Sequence, residues 1–380
     1  MRSVSGWSAF SFKSSGLLRL AVCVCAAAAV VLSLSARRAP VSAQRAKAAD
    51  APVTCATCHA GVVSEYAHAP MGHAMEPEGA NPVLDTHPDL KLTQNGYSYS
   101  VQTRDGKSTY TVTDGKETIT LPMHWFFGTH NQTWVLEKDG KYYESMVSYF
   151  RQPNGLATTP GDQRLTPHTL TEAMGRALPV WETRECFDCH GTGVKAGEAL
   201  EPDKVKPGLG CEHCHAGAAQ HMTDARKGDF KTLPVSLKKL DAESVSTFCG
   251  QCHRSFDIVL RNGWHGPAFV RFQPYRLALS RCFSGNDPRI SCLACHDPHR
   301  TVSHDAAFYD AKCLACHGEQ AHRAASAAMT VPPVSTIKTC PVAKKNCVSC
   351  HMPKVDLPGG NQQFTDHFIR VVKPGGAYPY

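Results

Sequence analysis

The chain has 380 residues, with 40 Lys and Arg against 33 Asp and Glu, a formal charge of +7, 8% aromatic residues, and 18 Cys beside 20 His. Five of the basic residues and none of the acidic ones precede Gln44, so the remainder stands at 35 against 33, close to neutral. That balance excludes a nucleic-acid binder, whose footprint is a basic patch, and the few aromatic side chains leave an apolar interior that something else must supply.

Residues 1–43 read as an export signal. Arg2, Lys13 and Arg19 lead into an acid-free apolar run over residues 20–36, and Val41, Ser42 and Ala43 offer a small-residue cleavage site before Gln44. The run is 17 residues long, at the short end for a membrane span, so an N-terminal membrane anchor is the second reading. Cleavage discards Cys23 and Cys25 and puts the mature chain in the periplasm or outside the cell, where spare thiols tend to pair.

Residues 44–89 hold the first copy of a Cys-x-x-Cys-His pattern, at Cys55, Cys58 and His59. Six more copies follow: Cys186, Cys189 and His190; Cys211, Cys214 and His215; Cys249, Cys252 and His253; Cys292, Cys295 and His296; Cys313, Cys316 and His317; Cys347, Cys350 and His351. This composition gives about 0.04 copies by chance. Two thiols three positions apart share one turn and add to the two vinyl groups of a porphyrin, while the adjacent His reaches the iron. A zinc ribbon does not need a His after every second Cys, and a disulfide framework needs none. Seven motifs predict seven covalent c-type haems, whose propionates make the holoprotein neutral to acidic. Residues 60–75, after the first motif, predict a short helix stopped near Pro70. It carries His68, Met71, His73 and Met75, all able to bind iron.

Residues 90–150 change pattern. Alternating apolar and polar residues are punctuated by Asn95-Gly96, Asp105-Gly106, Asp114-Gly115 and Asp139-Gly140, the strongest short-range hairpin signals. Tyr97, Tyr99 and Val101, then Tyr110 and Val112, then Trp134 and Leu136 facing Tyr143 and Val147, predict a small antiparallel sheet. We read it as an inserted β-subdomain that covers or docks the haem array, without a catalytic signature. His124 and His130 within it read as edge or surface histidines.

Residues 151–380 carry the other six motifs. A loop precedes a predicted helix over residues 169–178, and the motifs are then separated by 20, 33, 38, 16 and 29 residues. That density leaves room only for short helices and loops around each porphyrin, so the haems act as the core and the apoprotein is expected to be largely unfolded. The expected fold class is α+β. Thirteen histidines lie outside the motifs and compete for the sixth iron positions. A sixth His gives a low-potential carrier, Met raises the potential, and a vacant position admits a substrate. Met71, His221, His299 and His367 stand out because each sits in a short segment tied to a haem site or to the tail. His68 and His73 rival Met71, and the remaining candidates are His265, His304, His322, His87, His168 and His213. Cys282 and Cys340 fall outside both the motifs and the signal, and are expected to pair as a disulfide.

These motifs resemble the cytochrome c-552/c-554-like multihaem family, related in haem arrangement to hydroxylamine oxidoreductase and the pentahaem nitrite reductases. The matching pieces are residues 55–59 with Tyr66 and the Met71 region, residues 208–215 followed by His221, residues 292–299, and residues 347–353. The family has a His where Met71 stands, five residues after an aromatic corresponding to Tyr66. The resemblance implies closely stacked parallel and perpendicular haem pairs and a role in electron transfer, and it transfers no enzymatic activity by itself. The Cys-x-x-Cys-Lys variant that marks the catalytic haem of the nitrite reductases is absent. The expected function is therefore an exported heptahaem relay working with redox partner proteins, with no catalytic residue assigned. The alternatives are a multihaem oxidoreductase with one five-coordinate iron acting on a small nitrogen or sulfur species, and an electron-transfer subunit docked on a membrane-associated oxidoreductase. The sequence does not set the oligomeric state.

Overall fold

A computed structural model describes residues 54–284, 287, 289–318, 339–373 and 379. The signal segment and His322 lie outside the described residues. The fold is α+β: short helices carry the motifs, and antiparallel sheets fill the space between the first and second of them.

The four strands β2 (Asp89–Gln94), β3 (Tyr97–Arg104), β4 (Lys107–Thr113) and β5 (Thr118–Met123) follow β1 (Met75–Glu76) and form a sequential meander. Its turns are where the sequence puts them. Asn95-Gly96 and Asp105-Gly106 have positive φ at both residues, the conformation that a two-residue hairpin loop demands, as does Asp139-Gly140 between two strands of the other sheet. Register then follows from the alternation: Tyr99 pairs with Val112 and Val101 with Tyr110, all four on the buried face.

A second sheet, in the order β1, β6 (Trp125–Phe127), β7 (Thr133–Lys138), β8 (Lys141–Ser145) and β11 (Gly175–Ala177), is buried on both faces. Phe126, Trp134 and Leu136 face the meander, and the core there is completed by Leu156, Ala173 and Met174 from beyond residue 150. Trp125, Phe127 and Val135 face the other way, onto Met75, Val205 and Phe187. Phe187 is the first residue after Cys186, so this sheet packs directly on the second haem motif. Leu136 opposes Tyr143 as the pattern predicts. Val147 does not join that sheet: it lies in β9 (Val147–Phe150), paired with β10 (Gly155–Thr158). β8 ends at Ser145, and the next amide, that of Met146, donates to the Met174 carbonyl at 3.1 Å beside β11.

The helix after the first motif differs from the expectation. It starts at the motif itself, as Cys55–Tyr66 with non-helical dihedrals at His59, and stops four residues short of Pro70, which instead opens a 3-10 turn, Pro70–His73. The predicted helix at 169 is shorter too. Thr169 caps Leu170–Met174 through a reciprocal capping box with Glu172, and the chain then becomes strand β11. Downstream come the two-residue strands β12 (Gly191–Thr192) and β13 (Lys206–Pro207), and then the tail hairpin β14 (Lys354–Asp356) and β15 (Gln363–Thr365). Among the described residues no helix is long and apolar enough to cross a membrane.

Candidate metal centres

Each motif lies on a helical turn, which sets its two thiols one turn apart on the same side. The second, fourth and sixth close longer helices, Val180–His190, Ala242–His253 and Ala306–His317. The first opens the Cys55–Tyr66 helix, and the third, fifth and seventh are built on single turns, Cys211–Cys214, Cys292–Cys295 and Cys347–His351.

A metal-binding imidazole is fixed by its other nitrogen, which donates to a carbonyl or carboxylate. Among the described residues, His190, His215 and His351 show this tether. Nδ1 of His190 donates to the Ala74 carbonyl at 2.7 Å, that of His215 to Val235 at 3.0 Å, and that of His351 to Arg370 at 2.9 Å. A carbonyl only accepts, so Nδ1 carries the proton and Nε2 keeps its lone pair. The same tether holds His221 on Thr232 at 2.8 Å, His265 on Gly263 at 2.9 Å, His299 on the Asp297 carboxylate at 3.0 Å, and His367 on Thr365 at 3.0 Å.

Two of these tethered rings face motif histidines. His299 stands 6.0 Å from His215, centroid to centroid, with planes 2° from parallel. His367 stands 6.2 Å from His296, tilted by 43°. Imidazoles on opposite sides of one metal, each with its nitrogen about 2 Å away, have centroids roughly 6 Å apart. Among the described residues no group of three or more His, Cys, Asp or Glu converges as a zinc site requires. Two facing imidazoles beside a pair of thiols are the side chains that would hold a c-type haem, so the residues fit the group. Arg271 adds to the fit: its Nε is buried without a hydrogen-bond partner, and burial lowers its pKa. A propionate would satisfy it. The Cys pairs and motif histidines would hold the haems, and the groups would supply one-electron chemistry.

The motifs also meet one another. Thiols of different motifs lie close enough to shift one another's pKa in the pairs Cys55 with Cys211, Cys189 with Cys252, Cys249 with Cys292, and Cys313 with Cys347. Cys295 lies close enough to Cys313 to feel its charge. The third motif thus joins the first to the fourth, through Cys214 near Cys252. The fourth neighbours the second and the fifth, and the fifth leads through the sixth to the seventh. The last step is locked by Asp310 of the sixth motif's helix, whose buried carboxylate accepts the amides of Asn346 at 2.6 Å and Cys347 at 2.8 Å. Those amides hold its pKa down, Cys347 first.

The other candidates fall as follows. The Met71 carbonyl accepts the Leu209 amide at 3.0 Å, and Tyr66 donates to the Leu209 carbonyl at 2.7 Å, so this segment rests on the lead into the third motif. The contact is tight: Gly208 has φ +74, and a Cβ there would collide with the Gly72 carbonyl. Tyr66 also sits edge-on to His299, 6.3 Å away, and burial with the Cys214 and Cys211 thiols raises its pKa. His73 is engaged at both nitrogens, its Nε2 by the Ala67 carbonyl at 2.8 Å and its Nδ1 by the Glu76 carboxylate at 3.4 Å. His87 is engaged at both nitrogens, by Val83 and Asn154. His213 lies against the Cys252 thiol, which raises its pKa. His68, His168 and His304 are exposed, as are His130 and His124, the latter paired with Glu78 at 2.8 Å.

The disulfide expectation is overturned: Cys282 and Cys340 are both free thiols. Burial first, and then the nearby Cys313, Cys316 and Cys295 thiols, push the Cys282 thiol up, whereas Cys340 is exposed. The sequence reading also missed the groups that hold the ligands, Arg276, Ser280 and Asp310. Nothing in the local pattern around them signals that role, because each acts on a segment distant in sequence.

No curated protein sequence matches the chain. Among solved structures the chain is similar to the outer cell wall cytochrome OcwA, at 15% identity and TM-score 0.45, over 84% of this chain and 79% of that one. Residues 163–216 match the family model described as cytochrome c554 and c-prime, a span that holds the second motif and the third as far as His215. The chain is cytochrome c-like, and over residues 163–216 it is similar to the cytochrome c554 and c-prime family.

Proposed function

We propose that this protein is an exported heptahaem c-type cytochrome that relays electrons between redox partner proteins, in the periplasm or outside the cell. The observation that carries the reading is the succession of the motifs: neighbouring thiols that feel one another's charge link the first motif through the third, fourth, fifth and sixth to the seventh, with the second as a branch at the fourth. Motifs that follow one another in such a series suit transfer over distance. The facing pairs His215 with His299 and His296 with His367 would each hold an iron from two histidines, which suits a carrier because ligation would stay the same in both oxidation states. Met71 and His221 are proposed as further distal ligands. The partners are electron donor and acceptor proteins, a membrane-associated oxidoreductase among them, and no nucleic acid.

Intact mass and spectroscopy of the purified holoprotein test this. The mass should exceed that of the chain beginning at Gln44 by seven haem groups, and the irons should be mostly low-spin. Fewer haems after full maturation would defeat the count. A large high-spin fraction would instead favour the oxidoreductase with a five-coordinate iron.

A further inference from the structure

The last motif does not end its own neighbourhood. From His351 the chain forms the β14–β15 hairpin, returns, and runs back along the motif: the Asp366 amide donates to Pro353 at 2.9 Å and the Arg370 amide to His351 at 3.2 Å. Five residues of this returning segment, 366–370, meet the histidines of two different motifs. His367 faces His296 of the fifth motif. The Arg370 carbonyl holds Nδ1 of His351, the motif histidine of the seventh.

Between those two contacts lies an ion cluster with almost no access to water. Asp366 is fully buried and Arg276, on the helix Gln273–Ala278, is 1% exposed. Arg276 donates to both carboxylate oxygens, Nε to Oδ1 at 2.8 Å and Nη2 to Oδ2 at 3.0 Å. Arg370 adds Nη1 to Oδ2 at 2.6 Å, and the Phe368 amide donates to Oδ1 at 3.1 Å. Burial alone would raise the Asp366 pKa; the Arg276 and Phe368 hydrogen bonds and Arg370 hold it below the ordinary carboxylate value. The Phe368 ring packs under both guanidinium groups, at 5.3 Å and 4.9 Å. Ser280, four residues after Arg276, completes the clasp by donating to the His367 carbonyl at 3.2 Å and accepting the Ile369 amide at 2.8 Å.

Such a cluster is a costly way to gain stability, because desolvating the charges offsets most of their attraction, while removing one partner leaves a buried charge exposed to no compensation. Its value here is geometric. A bidentate fork fixes both the position and the rotation of the carboxylate, and hence of the backbone on either side of it.

We propose that the Arg276, Asp366 and Arg370 cluster is a positioning device that sets the axial ligation of two haems together, through His367 opposite the fifth motif and through the Arg370 carbonyl behind His351 of the seventh. These three are positioning residues and touch no iron. The proposal rests on the reading of His367 as a distal ligand, and it adds that the fifth and seventh sites are coupled by one clasp.

The test compares Asp366→Asn with His367→Ala in the full holoprotein, by mass for covalent haem and by low-temperature electron paramagnetic resonance for the ligand field of each iron. His367→Ala should remove one low-spin signal. Asp366→Asn should disturb that signal and one other, with all haems retained and the remaining signals unmoved. Arg276→Lys, which keeps the charge and loses the fork, should shift the same two signals by less, and it carries the test if Asp366→Asn does not mature. The clasp is refuted if the cluster variants disturb only the His367 signal, disturb none, or shift every low-spin signal alike, as general loosening would. If His367→Ala itself changes nothing, the ligand assignment fails first and the clasp with it, an outcome distinct from a silent Asp366→Asn beside an effective His367→Ala.

Discussion

At the scale of single residues, what separates a ligand-type histidine from the others is which nitrogen the protein occupies. His299 and His367 have Nδ1 tethered and Nε2 free, whereas His73 and His87 have both nitrogens taken. His367 shows the cost of such placement: burial first, then neighbours including His296, lowers its pKa to about 4, so the neutral imidazole that a metal needs is the form present near neutral pH. The Asp366 side chain does not orient the His367 ring; the Thr365 carbonyl does, and Asp366 turns inward to Arg276. His299→Ala should convert one low-spin haem per chain into a high-spin, carbon-monoxide-binding one with covalent haem unchanged, measured by the visible spectrum before and after carbon monoxide. An unaltered spectrum would remove His299 as the partner of His215.

At the scale of elements, the sheets and the motif helices are joined by side chains that belong to both. β6 and β7 send alternate residues into two cores, so Trp125 and Phe127 reach Phe187 at ring distances of 5.6 Å and 5.3 Å while Phe126 and Trp134 stay with the meander. The junction is also charged. Arg176 of β11 binds Glu144 of β8 and Glu182 of the second motif's helix, with Asp162 3.5 Å from its Nε. Three carboxylates share one guanidinium, and burial with the Glu144 charge pushes Asp162 up to about 7 against the pull of Arg176. Its folded pKa therefore lies above the unfolded value near 3.8, and the folded state binds the extra proton between the two. The associated stability is complete below about pH 4 and is lost as pH rises through about 7. Asp162→Asn should flatten this loss: relative to wild type, the variant's thermal midpoint should rise between pH 5 and pH 8. Parallel curves for the two proteins would show that Asp162 is ionised throughout.

At the scale of the whole molecule, the apolar cores are concentrated on the sheet side. Trp134, Tyr110, Val101 and Leu136 are at most 1% exposed, and Tyr110 donates to the Met174 carbonyl at 3.1 Å. From the fourth motif onward buried apolar side chains are few, and motif contacts with ion clusters take their place. Haem attachment should therefore matter unequally along the chain. In protein produced without haem attachment, hydrogen exchange should find the β2–β5 amides still protected and those of residues 292–317 and 347–370 unprotected. Equal protection of both regions would show that the motif helices fold without their porphyrins.

The sequence by itself determined whatever is encoded within a few residues. Cys-x-x-Cys-His is complete in one turn, and the Asn-Gly and Asp-Gly turns carry their own φ preferences. Alternation in β3 and β4 leaves one register that buries Tyr99, Val101, Tyr110 and Val112 together. It was less exact where elements end: Thr169 and Glu172 announced a helix, but the pairing of Gly175 with Ser145 in the sheet cut it short at Met174. Only the tertiary structure decided what stands opposite each motif histidine. His299 follows the fifth motif yet faces the third, and His367 follows the seventh yet faces the fifth. Spacing along the chain carries no record of such pairings. It also misassigned Cys282, which the fold leaves as a free thiol near those of the fifth and sixth motifs. The physical reason is common to these cases: covalent attachment and turn geometry depend on neighbours in sequence, while axial partners, buried forks and thiol contacts depend on chain return, which only the packing of the whole molecule fixes.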